Sequence, residues 1–471
     1  MTRKRTRRAS EQLDDFSSLV NTVANVAAVV AHKVIRRRRQ QISYHGGSPL
    51  GRRFRKRKRR SVRDIYEELG DVYFRRAYRM KYDTFNRLAT ELSPYIIAAS
   101  GKKQRSSNYL HNGAILPEVR LACALRWFSG GSIYDIMTTF GVSHTDAIDS
   151  CWFVVDAINR HPNFTIKYPE DHNAQYSIAE GFRRVSSADF GCCAGAIDGL
   201  LIWIHKPSSN DCIESGCSNG KFYCGRKKKF GLNCQAVCDA RGRILDLSIV
   251  YPGSTSDCLA FEGMSLFQKL EDGILAPGLC LFGDNAYLNM PYLATPYAAV
   301  KGGTKDAYNY YHSQLRIRIE CTFGILTHRW GILRSAIPMN VSVGKTIALV
   351  VALAKLHNFC IVEANDTVVL PATARDEWQN EVNGAVPLVR QTEHPDSDGI
   401  APRQLLNGGF HFDDVGNNGR YNRQRRYNYV SATMGTPLPR DMLHSFVASS
   451  GLTRPSHQHQ VSRQPLERNV Q

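Results

Sequence analysis

Between residues 190 and 284 the chain alternates apolar runs with turn residues, and this pattern constrains the fold more than any other feature. Four runs rich in apolar and β-branched residues predict strands, and a fifth follows a helical stretch at 261–273. Further helical stretches occupy 312–335 and 345–364. Strands, a crossover helix, another strand and closing helices predict an α/β domain with a mixed sheet over residues 185–364. The strand runs are CAGAIDG, LLIWIH, NCQAVCDA, RILDLSIVY and LCLFGD.

Helical periodicity precedes this domain. SVRDIYEEL begins with a capping-box-like pair, Ser61 and Asp64, and DTFNRLATELSPYI predicts a helix that ends near Pro94. Residues 117–159 predict three helices joined by glycine turns, which is the plan of a helix-turn-helix whose last helix enters a DNA major groove. We therefore expect a small all-α, helix-turn-helix-like domain over residues 61–165. Plain helical packing would produce the same pattern.

Positive charge is concentrated at the N-terminus. The formal net charge is +19, and residues 1–60 alone hold 18 Lys/Arg against 3 Asp/Glu. Such runs stay extended and serve as nucleic-acid contacts or nuclear import signals, although a merely solvated tail is the alternative. We expect a disordered basic arm over residues 1–60 and a nuclear protein. The stretch at 16–31 is too short and too polar for a membrane span, so no membrane association is expected.

The remaining composition points to an intracellular chain. Its 13 cysteines are odd in number and irregularly spaced, which favours reduced thiols. They contain no CxxC pair, so structural thiols are a better interpretation than a zinc site. After residue 365 the chain is rich in Asn, Gln, Arg, Ser and Pro, and we expect residues 365–471 to be a mostly disordered tail.

An acid, Asp198, lies inside the first apolar run, CAGAIDGLLIWIHKP. A buried, unpaired carboxylate costs free energy, so something must compensate it. Three interpretations remain open from this stretch alone: an acid satisfied by backbone donors, one half of an ion pair, or a metal ligand.

Two further acids stand where they could join Asp198. Asp284 ends the strand run LCLFGD, and Glu320 lies in the helical stretch RIRIECTFG. Carboxylates at neighbouring strand ends and on a covering helix suit Mg²⁺ or Mn²⁺, with two ions during phosphodiester chemistry. Arg316, one turn before Glu320, is either a helix salt bridge or a phosphate contact. Gly324, one turn after it, leaves the helix face open.

Candidate DNA contacts lie in two other places. KFYCGRKKKFG (221–231) combines five Lys/Arg with three aromatic residues, which suits phosphate tracking with stacking, although a solvated hairpin tip is the alternative. The first residues of the last helix predicted in 117–159 are either DNA contacts or simply exposed. The candidates are Arg226, Lys227, Lys228 and Lys229 in the first place and His144 and Thr145 in the second.

Several blocks, in this order, resemble the PIF/Harbinger group of DDE transposases: GAIDG, YCGRKKKFGLNCQAVCDARGRILD, PGSTSD, LFGDNAY and RIRIECTFGILTHRW. The resemblance covers roughly residues 190–362, and 117–159 resembles the helix-turn-helix part that precedes the catalytic domain. It implies a ribonuclease H-like nuclease fold with Asp198, Asp284 and Glu320 as the metal-binding triad. The 35 residues between Asp284 and Glu320 match the spacing of the last acid pair in such enzymes.

The resemblance also implies a function and partners. These enzymes cut double-stranded DNA at terminal inverted repeats and join the ends to a short A/T-rich target. Members of the group are similar in needing a separate Myb/SANT-like DNA-binding protein, and a homo-oligomer is expected because two ends must be brought together.

Asp257, in PGSTSD, is the rival for the second ligand or an auxiliary to it. It matches a recurrent acid of the family, but it precedes a predicted helix, where capping would explain it. We therefore rank it below Asp284.

The sequence thus predicts a metal-dependent DNA endonuclease and transposase. One alternative is a domesticated nuclease that no longer mobilises DNA. The other, from a different class, is a non-enzymatic nuclear DNA-binding protein.

Overall fold

The structure is a computed structural model, and it describes residues 59–101, 114–338, 341–367 and 437–455. The described residues belong to one compact unit. The predicted arm at 1–60, apart from its last two residues, lies outside them, as does most of the predicted tail. The prediction of an α/β chain with a mixed sheet is confirmed.

Helices make up the first half of the described chain, in agreement with the predicted periodicity. The first begins with the expected capping box, in which the Asp64 N–H donates to Ser61 Oγ at 3.0 Å and the Ser61 N–H donates to Asp64 Oδ2 at 3.3 Å. The helices are α1 (Val62–Tyr78), α2 (Tyr82–Ser100), α3 (Pro117–Phe128), α4 (Ile133–Phe140), α5 (His144–Arg160) and α6 (His172–Arg183).

The prediction that the second helix ends near Pro94 is wrong. α2 continues through Pro94 to Ser100. A proline inside a helix removes one backbone hydrogen bond. Leu92 and Ile96 on either side are fully buried, and this packing offsets the loss.

The three helices predicted within 117–159 are present. Gly141 ends α4 in the left-handed conformation, and Ser143 then caps α5 by accepting from the Asp146 N–H at 3.1 Å. α5 packs against α2, α3 and α4, so most of its surface is occupied by the bundle. Its first turn, at His144 and Thr145, is exposed.

One mixed sheet forms the core of the second half. Its spatial order is β2-β3-β1-β5-β6, and β4 also pairs with β3. β1 is antiparallel to β3 and parallel to β5, and β5 is parallel to β6. The strands are β1 (Cys193–Trp203), β2 (Tyr223–Cys224), β3 (Lys229–Cys238), β4 (Ile244–Pro252), β5 (Cys280–Phe282) and β6 (Leu293–Ala294).

The predicted runs CAGAIDG and LLIWIH form one strand, β1, and the connections of the sheet also differ from expectation. The helix predicted at 261–273 is two short helices, α8 (Asp257–Glu262) and α9 (Ser265–Glu271), while α7 (Ser209–Ser215) precedes β2. The break falls at Gly263, where a Cβ atom would overlap the ring of Tyr251, so this position packs too closely for an uninterrupted helix.

Two long helices close the domain and join it to the bundle. α10 (Gly303–Arg329) packs across β1 and β3, and α11 (Val343–Thr367) packs against α5 and β4. Between them Trp330 is fully buried and donates from Nε1 to the Leu353 carbonyl oxygen at 3.1 Å. Val343–Glu363 is long and apolar enough to cross a membrane by length and composition, but half of it is buried inside the protein, as in a core helix.

Part of the tail expected to be disordered is helical. α12 (Pro439–Ser449) packs against α10 and β6. Its Asp441 accepts from the Tyr297 hydroxyl at 2.8 Å, and its Val447 is fully buried. The tail composition is polar on average, but this short stretch has an apolar face that finds a partner only in the folded domain.

The helical bundle meets the α/β domain at a contact between two glycines, and we expect the stability of the protein to be sensitive to one carbon atom added there. A Cβ at Gly331 would overlap the carbonyl oxygen of Ser129, and one at Gly130 would lie 3.5 Å from the Gly331 backbone. Gly331→Ala should therefore lower the free energy of unfolding by about 1–3 kcal/mol in urea titrations. Gly344→Ala, where a Cβ meets open space, is the matched control. Equal stability of the two variants would contradict this close packing.

Candidate active site

Asp198 lies in the middle of β1 and Asp284 just beyond the end of β5, at the point where the parallel pairing of these two strands ends. Ala196 in β1 pairs with Phe282 in β5, and each aspartate lies two residues beyond its paired residue. Neighbouring strands are about 4.8 Å apart, so the register brings both acids to one place. This is the edge of the sheet expected from the sequence.

Backbone N–H groups satisfy only part of the hydrogen-bonding capacity of each carboxylate. The Gly199 N–H donates to Asp198 Oδ1 at 2.7 Å, and the Ala286 N–H donates to Asp284 Oδ1 at 2.8 Å. Burial nevertheless raises the pKa of Asp198 to about 7, and the neighbouring charges of Asp284 and Asp257 add to the shift. Burial and Asp257 also raise the pKa of Asp284. The two carboxylates of Asp198 and Asp284 therefore lack enough neighbouring positive charge to balance their own negative charge.

Glu320 lies on α10 above this pair, but an arginine holds its side chain. Arg316 Nη1 donates to Glu320 Oε1 at 2.6 Å, while Glu320 remains half-exposed. The Arg316 charge also lowers the pKa of both Asp198 and Asp284, so this arginine acts on the helix acid and on the strand acids. A Cβ at Gly324 would meet nothing within 4 Å, which leaves this face of the helix open as expected.

The donor chemistry fits a divalent metal. Carboxylate oxygens are the ligands that Mg²⁺ prefers, and a cation would relieve the repulsion between Asp198 and Asp284. Among the residues that the structure describes, no three His, Cys, Asp or Glu side chains are close enough to hold one ion together. Glu320 would have to leave Arg316 to complete the site, so its role as third ligand stays a prediction.

Asp257 does not cap its helix, and the capping interpretation is wrong. It is the first residue of α8, and its Oδ1 accepts hydrogen bonds from Asn233 Nδ2 and Gln235 Nε2, both at 3.0 Å. Its charge raises the pKa of both Asp198 and Asp284. Asp257 therefore belongs to the same acidic neighbourhood.

A buried polar network anchors Asp257, and the sequence analysis missed it. Gln235 Nε2 also donates to Asn233 Oδ1 at 2.8 Å, and the Tyr287 hydroxyl donates to Gln235 Oε1 at 2.6 Å. Burial raises the pKa of Tyr287, and the charges of Asp198, Asp257 and Asp284 add to the shift. The available signal was the pair of polar residues, two positions apart on one face of the apolar run NCQAV.

The basic segment lies next to these acids. Arg226 Nη2 is 3.9 Å from Asp257 Oδ2, and the Arg226 charge lowers the pKa of Asp284. Lys229 Nζ sits 3.1 Å from the centre of the Trp203 ring, while Lys227 and Lys228 are exposed. The segment forms the tip of the β2–β3 hairpin, so its exposed cations can reach a substrate bound at the carboxylates.

Comparison with known proteins decides the class of the domain. Residues 197–358, which include all four acids and the basic tip, match the family described as DDE superfamily endonuclease. The chain carries a DDE superfamily endonuclease domain. The resemblance to Harbinger-type transposases and transposase-derived nucleases is thereby confirmed.

Curated relatives of the endonuclease domain agree. The proteins named "Putative nuclease HARBI1" from Bos taurus and Homo sapiens are 26% and 27% identical, over 60% and 57% of this chain and 76% and 74% of their own length. "Protein ALP1-like" from Arabidopsis thaliana is 26% identical over 47% of this chain and 55% of its own length. No solved structure matches the chain. DDE superfamily endonucleases generally depend on a divalent metal ion, which agrees with the carboxylate pair.

Other predicted residues of the endonuclease chain lie away from these acids or keep a structural role. All 13 cysteines are free thiols. Asp239, at the turn between β3 and β4, accepts from the Arg241 and Arg243 N–H groups at 2.9 Å. His144 and Thr145 are exposed, and their contact with DNA stays a prediction.

The raised pKa of Asp198 makes stability depend on pH. The native acid keeps its proton up to about pH 7, whereas the unfolded one loses it near pH 4, so the metal-free protein should lose stability as pH rises between these values. Asp198→Asn should remove this loss and be more stable than wild type at pH 8 by up to a few kcal/mol, measured by urea unfolding across pH. The exposed Asp272→Asn is the control. Parallel pH profiles for wild type and Asp198→Asn would contradict the buried carboxylate.

Gly199 leaves the space that Asp257 occupies. A Cβ at this position would overlap the Asp257 carboxylate and lie 2.6 Å from Gln235 Nε2. Gly199→Ala should displace Asp257 and lower nuclease activity about 10–100-fold, the usual cost of losing a supporting contact at a metal site. Gly225→Ala, which meets open space in the nearby basic segment, should keep wild-type activity. Full activity of Gly199→Ala would show that Asp257 does not support the site.

Proposed function

We propose that this chain is a metal-dependent DNA endonuclease of the Harbinger type that cuts at transposon ends and joins them to target DNA. The observation that carries this proposal is the placing of Asp198 beside Asp284 where the parallel pairing of β1 and β5 ends, close to Asp257 and the basic hairpin tip. A nuclease needs fixed negative charge for cations and mobile positive charge for phosphates, and these residues supply both.

The chain's own residues would divide the chemistry as follows. Asp198, Asp284 and Glu320 would hold the divalent ions, while Asn233, Gln235 and Tyr287 keep Asp257 in place. When bound there, Mg²⁺ or Mn²⁺ supplies the positive charge that activates the attacking oxygen and stabilises the leaving oxygen. When a DNA phosphate approaches, Arg316 would release Glu320 and bind the phosphate instead. The Glu320 carboxylate would then be free.

Two displacements at phosphorus make up the proposed reaction. In the first, a water oxygen bonds to phosphorus, its proton passes to solvent, and the phosphorus–oxygen bond to the 3′-carbon side breaks to leave a 3′-hydroxyl. In the second, that 3′-hydroxyl bonds to a target phosphorus and releases a new 3′-hydroxyl from the target strand. Both need the same placement of attacking and leaving oxygens, so one site serves both.

The sheet supports a ribonuclease H-like assignment. β1, β3 and β4 are antiparallel neighbours, and β5 and β6 follow on the other side of β1 and run parallel to it. Ligands of α/β sheets bind at the carboxyl ends of the strands where the connection changes direction. Asp284 follows such an end, and the register of β1 and β5 brings Asp198 beside it.

Recognition and location belong to the same proposal. The exposed first turn of α5, at His144 and Thr145, would contact DNA, and the basic segment at 1–60 would add non-specific affinity and nuclear import. A Myb/SANT-like partner would supply further DNA recognition, and a homo-oligomer would hold two ends together.

A nuclease that no longer transposes is the second candidate. The word nuclease in the name of the HARBI1 relatives favours it, because cleavage is the part of the reaction that the name states. Joining of cut ends to a second duplex distinguishes the two. A purely DNA-binding role is less favoured, since it gives no reason for the three adjacent aspartates.

Removal of Asp284 tests the enzyme. Asp284→Asn should lower Mg²⁺-dependent cleavage of DNA bearing the element's own terminal repeats, with the DNA-binding partner present, by more than about 100-fold. Asp257→Asn should cost about 10–100-fold, because it supports rather than replaces the pair. Asp272→Asn should cleave as wild type does.

Two outcomes would overturn these assignments. Failure of the wild type to cut this DNA would end the enzyme proposal. Normal cutting by Asp284→Asn, together with loss in Asp257→Asn, would make Asp257 the second ligand. Thermal stabilisation by Mn²⁺, measured on the same proteins, reports metal binding independently of cleavage.

A further inference from the structure

Three arginines gather where the helical bundle meets the end of α10, away from the carboxylates. Gly130 and Gly331 touch at this seam. Arg126 lies one turn before Gly130 in α3, and Arg334 ends the short 3₁₀ turn that begins at Gly331. Arg79 ends α1, which packs against α3.

Arg79 is held in an unusual way. Its backbone is left-handed, with φ 64° and ψ 17°, at a helix end where glycine is the common residue. Its Nε is buried and has no hydrogen-bond partner among the described residues. A buried donor without a partner costs free energy, so an acceptor brought by a ligand would stabilise this position.

The surroundings of Arg79 are positive. Burial lowers its pKa, and the charges of Arg334 and Arg126 lower it further, with no carboxylate of the described chain opposing them. Arg126 Nη2 pairs with Asp135 at 2.9 Å. Arg334 donates to the carbonyl oxygens of Thr327 and His328, which carry no full charge. Three guanidinium groups thus face one carboxylate in this part of the protein.

We propose that Arg79, Arg126 and Arg334 form a binding site for a phosphate of the DNA backbone. Guanidinium groups bind phosphate oxygens through paired N–H donors, and one phosphate would satisfy the buried Nε while neutralising the surplus charge. The site deepens the proposed action on DNA and rests on it, but it is separate from the carboxylates.

The position suits a duplex that passes the active site. Nine residues of α10 separate Glu320 from Arg329, about 14 Å along the helix axis, and Arg334 follows shortly after. Duplex DNA carries roughly one phosphate per 1.7 Å of its length. One bound duplex can therefore place a phosphate at both ends of this segment.

The salt dependence of DNA binding tests the site without cleavage. Binding of a short labelled duplex of arbitrary sequence is measured for the full chain in metal-free buffer at several salt concentrations. Arg79→Gln should reduce the slope of log affinity against log salt by about 0.9, so its loss of affinity relative to wild type is about 3.5-fold larger at 50 mM salt than at 200 mM. Arg63→Gln, on the same helix, is the charge-matched control, because Arg63 already pairs with Glu67 at 2.6 Å.

A second variant distinguishes a loss of DNA binding from a loss of folding stability. Glycine adopts the left-handed conformation of position 79 without strain, so Arg79→Gly should keep or raise the melting temperature while it loses the same slope as Arg79→Gln. A lower melting temperature with an unchanged slope would show that Arg79 has only a structural role and would overturn the proposal.

The remaining outcomes distinguish this site from the nuclease itself. If the wild type cleaves DNA but Arg79→Gln and Arg63→Gln have equal salt slopes, the phosphate site is overturned. The nuclease proposal is then still supported. Thermal stabilisation by inorganic phosphate that Arg79→Gln abolishes, without any change of DNA slope, would assign the site to a free phosphate and also overturn the proposal. Loss of slope in Arg79→Gln supports the phosphate site, even when the wild type itself does not cleave DNA.

Discussion

Two carboxylates held side by side in a partly buried place are the constraint on which the rest of this structure depends. Separating Asp198 and Asp284 from water while they repel one another raises both pKa values. Only a rigid part of the fold can keep them together. β1 holds Asp198 and is paired on both sides and covered by α10 and α6. Asp284 follows β5 directly, and its Oδ1 accepts from the Ala286 N–H.

The surroundings of the pair distribute charge in a defined way. Asp257 is fixed from below by a hydrogen-bonded network of Asn233, Gln235 and Tyr287, so its charge cannot move away. Arg316 and Arg226 approach from the helix and the hairpin and partly compensate the acids. In this arrangement Glu320 is paired with Arg316. Binding of a cation by Glu320 and binding of a phosphate by Arg316 are therefore linked, because both require this ion pair to open.

Sequence patterns located the acids but not all of their partners. The end of an apolar run identified Asp284, because a strand leaves its core where the apolar residues stop, whereas Asp198 was identified as a carboxylate inside an apolar run. Asp257 was misread, because an acid at the start of a helix looks the same whether it caps the helix or faces a neighbouring strand. Asn233 and Gln235 were passed over, since two polar residues within an apolar strand do not reveal what covers them. The helix at 439–449 was hidden in a polar tail for a similar reason, as its stability comes from contacts with Tyr297 and the edge of the sheet.

By itself the sequence determined the order of helices and strands, the acids at the ends of the strand runs and the blocks shared with Harbinger-type enzymes. These properties are local, because they follow from the spacing of apolar residues and from neighbours within a few positions. The tertiary structure alone decided that Ala196 pairs with Phe282, that Asp257 reaches Gln235, and that Arg79, Arg126 and Arg334 gather at one seam. Residues so far apart in the chain are brought together by packing of whole elements, which no local pattern encodes.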